Sequence, residues 1–353
     1  MRLHTIVILF AVAMSLPASA AETSLLNRTN LLQFVSNGNV SPVRSIADWQ
    51  QRRASIIEAM QTVMGPFPGK EKRCPLDLRR ESETDCGDYI RQSISYQSEP
   101  GGRVPAYLLI PKGGTNAGSR KFPAVLGLHQ THAQGSKVVV GLGQSTNDEY
   151  GVRLVRRGFV VLAPPYPLLA DYNPDLKALG YQSGSMKAIW DNVRGLDLLS
   201  SLPFVRTNNG FGAIGHSLGG HNSIFTAVLD DRIKVVVSSC GFDAFRDYKD
   251  GNIRGWTSQH YMPRLLDYSV ETRPFDFNEV IGSLAPRWFF VNAPFGDSNF
   301  KWRSVDDVCA SASKVYDLYG AAERLQVHHP DCPHLFPPEM QIKAFDLLAR
   351  VLN

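Results

Sequence analysis

The sequence predicts an α/β fold with a mostly parallel central sheet, and three observations predict it. Short, continuous apolar runs recur at 123–128, 159–163, 211–214, 233–237 and 288–291, with a briefer one at 325–327. Runs this short and this apolar suit strands buried on both faces of a sheet. Helical stretches separate them, the clearest carrying Ile189, Val193, Leu196, Leu199 and Leu202 at a 3.6-residue spacing. Before them, residues 76–110 read as extended chain around the turn Glu99-Pro100-Gly101-Gly102, an antiparallel opening. Alternating strands and helices imply right-handed crossovers, with helices on both faces of the sheet.

The elements follow in order. Residues 1–20 form a separate unit: Arg2, an apolar stretch from Thr5 to Leu16, Pro17, then Ala18-Ser19-Ala20. A basic start, a short apolar core and an A-x-A end describe a secretory signal cleaved after Ala20. The apolar run is too short for a spanning helix of ~20 residues. The expected location is therefore secreted or periplasmic. Residues 21–84 read as an N-terminal extension, polar at first and then helical over 45–63, where Gly65-Pro66-Phe67-Pro68-Gly69 stops the helix. Residues 85–353 form the main domain. Helices are expected near 146–157, 219–229, 303–319 and 338–352. Residues 242–285 break the alternation with Phe242, Phe245, Tyr248, Trp256, Tyr261, Tyr268, Phe275 and Phe277, which reads as a cap inserted over the sheet edge.

Composition excludes some functions. With 353 residues, 43% apolar and 20% charged, the chain is an ordinary globular protein with a core of good size. A net charge of +4 without long basic runs does not mark a nucleic-acid binder. No segment after the signal reads as transmembrane. Cys74, Cys86, Cys240, Cys309 and Cys332 lack C-x-x-C spacing. Export permits Cys74–Cys86 and Cys309–Cys332 bridges, leaving Cys240 as a small buried hydrophobe.

Chemistry concentrates at Gly215-His216-Ser217-Leu218-Gly219, between a strand and a helix. A nucleophile at such a turn sits in a strained conformation, and the flanking glycines relieve the crowding. The helix N-terminus lends positive potential, and the Leu218 N–H faces a developing oxyanion. A serine needs a base. The segment after the last strand offers His328, His329 and His334. The first two continue the strand, whereas His334 lies in the loop beyond and is preferred. The orienting acid is expected at Asp297, in the loop after the penultimate strand, with Asp243, Asp306 and Asp307 as rivals. The second oxyanion donor is expected at the N–H of Gln130, after the first parallel strand. His129 and His132 read as structural rather than metal-binding, because no acidic or Cys partner lies nearby. Trp256, His260, Tyr261 and Trp302 are expected substrate contacts. No phosphate loop, dinucleotide fingerprint or H-E-x-x-H occurs, so no cofactor and no metal is expected.

These motifs, in this order, resemble those of the α/β-hydrolases over roughly residues 85–353. Within that superfamily the chain is similar to secreted bacterial hydrolases of the dienelactone-hydrolase and acetyl-xylan-esterase type, whose helix ending Met64-Gly-Pro-Phe-Pro and antiparallel opening it shares. Dienelactone hydrolases proper use a Cys nucleophile, and this chain has Ser217. The resemblance implies a serine esterase forming an acyl-enzyme on a small-molecule or carbohydrate ester. It leaves open the acyl group, the alcohol and the oligomeric state. Two other readings stand beside it: a prolyl-oligopeptidase-type peptidase, and a secreted binding module without catalysis. The peptidase would ordinarily carry a β-propeller that the N-terminal extension is too short to form.

Overall fold

The computed structural model describes residues 26–113 and 121–353. The expected signal at 1–20 lies outside them. A short antiparallel hairpin, β1 (Gln33–Ser36) and β2 (Asn39–Pro42), comes first among the described residues, where the sequence reads only as polar. Helix α1 (Ile46–Met64) follows, started by a capping box in which Ser45 and Asp48 satisfy each other's backbone N–H groups. Gly65, with φ +94°, ends it.

The antiparallel opening consists of β3 (Arg79–Asp85), β4 (Tyr89–Glu99) and β5 (Gly102–Pro111). The sheet thus begins at Arg79, inside the segment expected as an extension. The parallel strands are β6 (Ala124–Leu128), β7 (Val160–Ala163), β8 (Phe211–His216), β9 (Ile233–Ser239), β10 (Trp288–Asn292) and β11 (Leu325–His328). Together with β3–β5 they form one nine-stranded sheet in the order β11-β10-β9-β8-β6-β7-β5-β4-β3, parallel from β11 to β7 and antiparallel beyond. Chain direction through the crossovers places the C-terminal ends of β6 and β8–β11 on one rim, where sites of this architecture sit.

Alternate residues face opposite layers. In β7, Val160 and Leu162 join the core beneath α1, α3 (Gly184–Ser201), α4 (Leu218–Leu229) and α6 (Trp302–Leu318). Val161 and Ala163 join the core beneath α2 (Tyr150–Arg156) and α7 (Pro338–Leu352). This two-sided burial is why the strands read as continuous apolar runs rather than alternating ones. Residues 242–285 consist of short 3₁₀ turns, connecting segments and the six-residue helix α5 (Phe277–Gly282).

One polar cluster crosses the first core layer. Lys187 on α3 is fully buried, 3.0 Å from Glu99 at the end of β4 and in contact with Asp191 one turn along. Tyr172 donates to Asp191 at 2.8 Å, and Tyr181 bonds Glu99. Lys72, half-buried, reaches Glu99 at 3.2 Å. Burial pushes the Asp191 carboxyl up although Lys187 opposes the shift.

All five cysteines are free thiols. The bridges permitted by the sequence are therefore not formed: Cys309 is buried on α6, while Cys332 lies in the loop after β11.

Candidate active site

The turn between β8 and α4 forces Ser217 to φ +52°, a region that non-glycine residues rarely occupy. Its N–H donates to Ser239 O at 2.7 Å, which ties the turn to the end of β9. The flanking glycines are required by contact. A Cβ on Gly215 would overlap the Gly219 backbone. A Cβ on Gly219 would overlap Leu128 O and meet His129 O at 3.0 Å. The start of α4 is thus pressed against the end of β6, which brings Leu218 and Gln130 onto facing segments.

His129 holds that second segment. Its Nδ1 contacts Gln130 O at 2.7 Å, and its Nε2 accepts from Tyr166 N at 2.8 Å. Burial lowers its pKa to about 4, so the ring is neutral. His132 accepts from Gln134 N at 3.1 Å and is exposed. Tyr150 backs the same strand by donating to Leu128 O.

Asp297 and His334 meet across the loops after β10 and β11. His334 Nδ1 lies 2.9 Å from Asp297 Oδ1 and 3.0 Å from Oδ2. The carboxylate side chain is 2% exposed and the imidazole 25%. Burial opposes ionisation of Asp297. The imidazole and the backbone N–H groups of Asn299 and Phe300, at 2.7 and 3.1 Å, outweigh it and hold the carboxyl below its ordinary range. His216 packs at a tilt beside His334 with ring centres 4.8 Å apart. Burial, then the neighbouring His334, lowers its pKa to about 3, so it stays neutral next to the paired imidazole.

The rival residues have other partners. His328 continues β11 opposite Asn292 and stacks on Phe290. His329 is engaged at both nitrogens, by Ala293 O at 2.6 Å and Asp306 at 2.8 Å. Asp307 is exposed on α6. Asp243 is fully buried and accepts from Lys301 N at 3.1 Å, with no imidazole among its partners.

The four expected substrate contacts divide. Tyr261 is half-buried, and its hydroxyl pairs with Thr131 Oγ1 at 3.1 Å, beside Gln130. His260 is half-buried against Tyr261. Trp256 is 2% exposed and packs among Phe245, Tyr248, Phe277 and His221, so it supports the wall from within instead of presenting a face. Trp302 opens α6 and packs on Phe295 and His329, behind the Asp297 loop.

Two residues without a sequence signal organise the site. Asn292, at the end of β10, donates to Ser239 Oγ at 2.8 Å and to Leu335 O at 2.9 Å, clamping the His334 loop to β9 and β10. Cys240 has φ +50°, donates its N–H to Asn292 O at 2.8 Å and lies 3% exposed beside the pair. Burial, then the Asp297 charge, pushes its thiol pKa well up. A wide cleft of about 710 Å³ at the opposite rim, lined by Arg53, Asn209 and Trp288 among others, contains none of the expected site residues.

No family model matches the chain. It is 27% identical over 287 residues to the Bacillus subtilis protein YtaP, whose name assigns it provisionally to the hydrolases; the match spans 78% of this chain and 91% of that protein. A glucuronoyl esterase from Solibacter usitatus superposes with a TM-score of 0.73 at 17% identity, covering 93% of this chain and 98% of its own. A glucuronoyl esterase from Caldicellulosiruptor kristjansonii gives 0.67 at 17% identity, covering 92% and 90%. A Bacteroides fragilis protein described provisionally as an acetyl xylan esterase gives 0.62 at 16%, covering 88% and 80%. The fold is that of the α/β-hydrolases. Among the described residues, no helix is long and apolar enough to cross a membrane.

Proposed function

We propose that this chain is an exported serine esterase that cleaves carboxylic esters, including acyl or uronoyl esters on carbohydrates. The observation that carries the reading is the buried Asp297–His334 pair on the same rim as a serine held at φ +52°. Ser217 Oγ attacks the ester carbonyl while His334 Nε2 takes its proton. Asp297 keeps the imidazole in the tautomer with hydrogen on Nδ1 and stabilises the cation that forms. The N–H groups of Leu218 and Gln130 receive the oxyanion. His334 then gives the proton to the departing alcohol, and water repeats the cycle on the acyl-enzyme. The esterase names of the structural neighbours support an ester over an amide, and carbohydrate esters as the substrate class. The leader at residues 1–20 supports export.

The test is hydrolysis of p-nitrophenyl acetate, then of acetyl, feruloyl and methyl-glucuronoyl esters, by wild type and Ser217→Ala. Turnover should fall by on the order of 10⁶ in the variant. A folded Ser217→Ala protein with near-wild-type turnover would end the proposal.

A further inference from the structure

The mechanism leaves Cys240 unused, although its thiol lies beside the acid–base pair. Cys240 Sγ, an Asp297 carboxylate oxygen and a His334 ring nitrogen all lie within 4.8 Å of one another. The thiol also contacts Leu335 O at 3.4 Å, on the residue that follows His334. We infer that Cys240, Asp297 and His334 form a capture site for a soft divalent cation such as Zn²⁺ or Cd²⁺, and that its occupation switches off the esterase. The inhibitory half of this inference rests on the proposed function; the binding half does not.

The donor set suits such ions. Thiolate, imidazole and carboxylate together select zinc-like metals over magnesium or calcium. A tetrahedral ion brings its donors to about 3.5 Å from one another, so the His334 loop must tighten by roughly 1 Å at the widest pair. Asp297 Oδ1 is committed to Asn299 N and Phe300 N, which leaves Oδ2 for the metal. The nitrogen facing this oxygen is Nδ1, at 3.0 Å. The 25% exposure of the imidazole gives an ion a way in.

The proton accounting explains the inhibition. The metal expels the Sγ proton to solvent, since a coordinating thiol is deprotonated outright. It takes the lone pair of Nδ1, and the imidazole proton moves to Nε2. The ring stays neutral, and one proton leaves per metal bound. With Nε2 protonated, His334 can no longer accept the proton of Ser217. The metal therefore blocks the base through its tautomer without touching the serine.

The experiment titrates EDTA-stripped full-length protein with ZnCl₂ while following p-nitrophenyl acetate hydrolysis. Each variant is read relative to its own metal-free rate. Wild type should be inhibited and restored by EDTA. Cys240→Ser should raise the half-inhibiting concentration by on the order of 100-fold. Cys240→Gly, which accepts the left-handed backbone without strain, serves as a second variant. Cadmium provides a readout independent of activity. CdCl₂ should give a thiolate-to-cadmium ultraviolet band in the Ser217→Ala protein. That band should vanish with Cys240→Ser and weaken with His334→Ala. If the esterase reading fails, the cadmium band still reports the site. Equal zinc sensitivity in the Cys240 variants, or a band that survives them, would overturn the inference. So would inhibition reversed by a phosphine reductant but not by EDTA, which would mark oxidation of the thiol.

Discussion

The loops after β9 and β10 each carry a buried aspartate, and the two carboxyls behave in opposite ways. Asp297 faces an imidazole and two backbone N–H groups, and its pKa lies below the ordinary range. Asp243 is more deeply buried, receives one N–H from Lys301, and has an Oδ1 with no partner among the described residues. Burial raises its pKa to about 7, helped by the charges of Asp247 and Asp276 and opposed by the N–H and the charge of Lys301. Depth alone does not prepare a carboxylate for work. The number and charge of its partners decide whether it stays ionised where the reaction needs it.

The largest expected effect tests this contrast directly. Asp297→Asn should lower kcat by about 10⁴ with the fold intact, because the amide stabilises the wrong imidazole tautomer. Asp243→Asn should change kcat by less than about tenfold. Steady-state kinetics on the two purified variants, with circular dichroism as the folding control, decide it. A reversed ranking would move the orienting role to the earlier loop.

An intermediate effect is expected at Asn292, which links the two loops. Asn292→Ala removes the amide donor from Leu335 O and Ser239 Oγ, leaving them the Cys240 thiol and His216 Nδ1, and loosens the His334 loop. A loss of about 1–3 kcal/mol in stability should accompany a drop in kcat of roughly 10–100-fold. Urea denaturation and initial rates measure the two parts. A stability loss with unchanged kcat would show that the clamp does not position the imidazole.

The smallest effect is on pH dependence. Between the ordinary carboxylate range and about 7, folded Asp243 holds more protons than it does in the unfolded chain. Its contribution to stability therefore falls as pH rises through that window, at up to about 1.4 kcal/mol per unit. Asp297 has the opposite sign: its contribution is present above the ordinary carboxylate range and is lost as pH falls through its lowered pKa. Asp243→Asn should flatten the decline of Tm between pH 5 and 7 and leave the acid limb unchanged. An unaltered Tm profile would show that Asp243 does not titrate in that range.

The strands and the Gly215–Gly219 turn were legible in the sequence because each has a local signature. Two-sided burial writes apolar runs, and the close approach of Gly219 to Leu128 O writes a glycine. Asp297 and His334 could be placed in their loops by chain order, but the sequence could not show that they meet. The clamp by Asn292 had no signature, since an asparagine after a strand reads as a turn residue. Cys240 was equally silent: it takes a left-handed backbone without being glycine. Trp256 misled for a different reason. Aromatic content predicts a large apolar payload but not which face is covered, and here Phe245, Tyr248, Phe277, Phe300 and His221 enclose it as part of the main core. The β1–β2 hairpin escaped because its strands are mostly half-buried or exposed and carry no continuous apolar run, unlike the equally short β7.

The buried cluster of Lys187, Glu99 and Asp191 constrains how this lineage can vary. Lys187 is tolerable in the interior only while a carboxylate faces it, and Asp191 only while Lys187 is present. Loss of Lys187 alone leaves Asp191 in the interior without a cation, at about 3–5 kcal/mol, while Glu99 keeps Lys72; joint replacement of Lys187 and its partners by well-packed apolar side chains is often neutral or stabilising. Every single-step route between those states therefore crosses a poorly folding intermediate. Lys187 and Asp191 are expected to be inherited as a pair: descendants either keep both or have exchanged both.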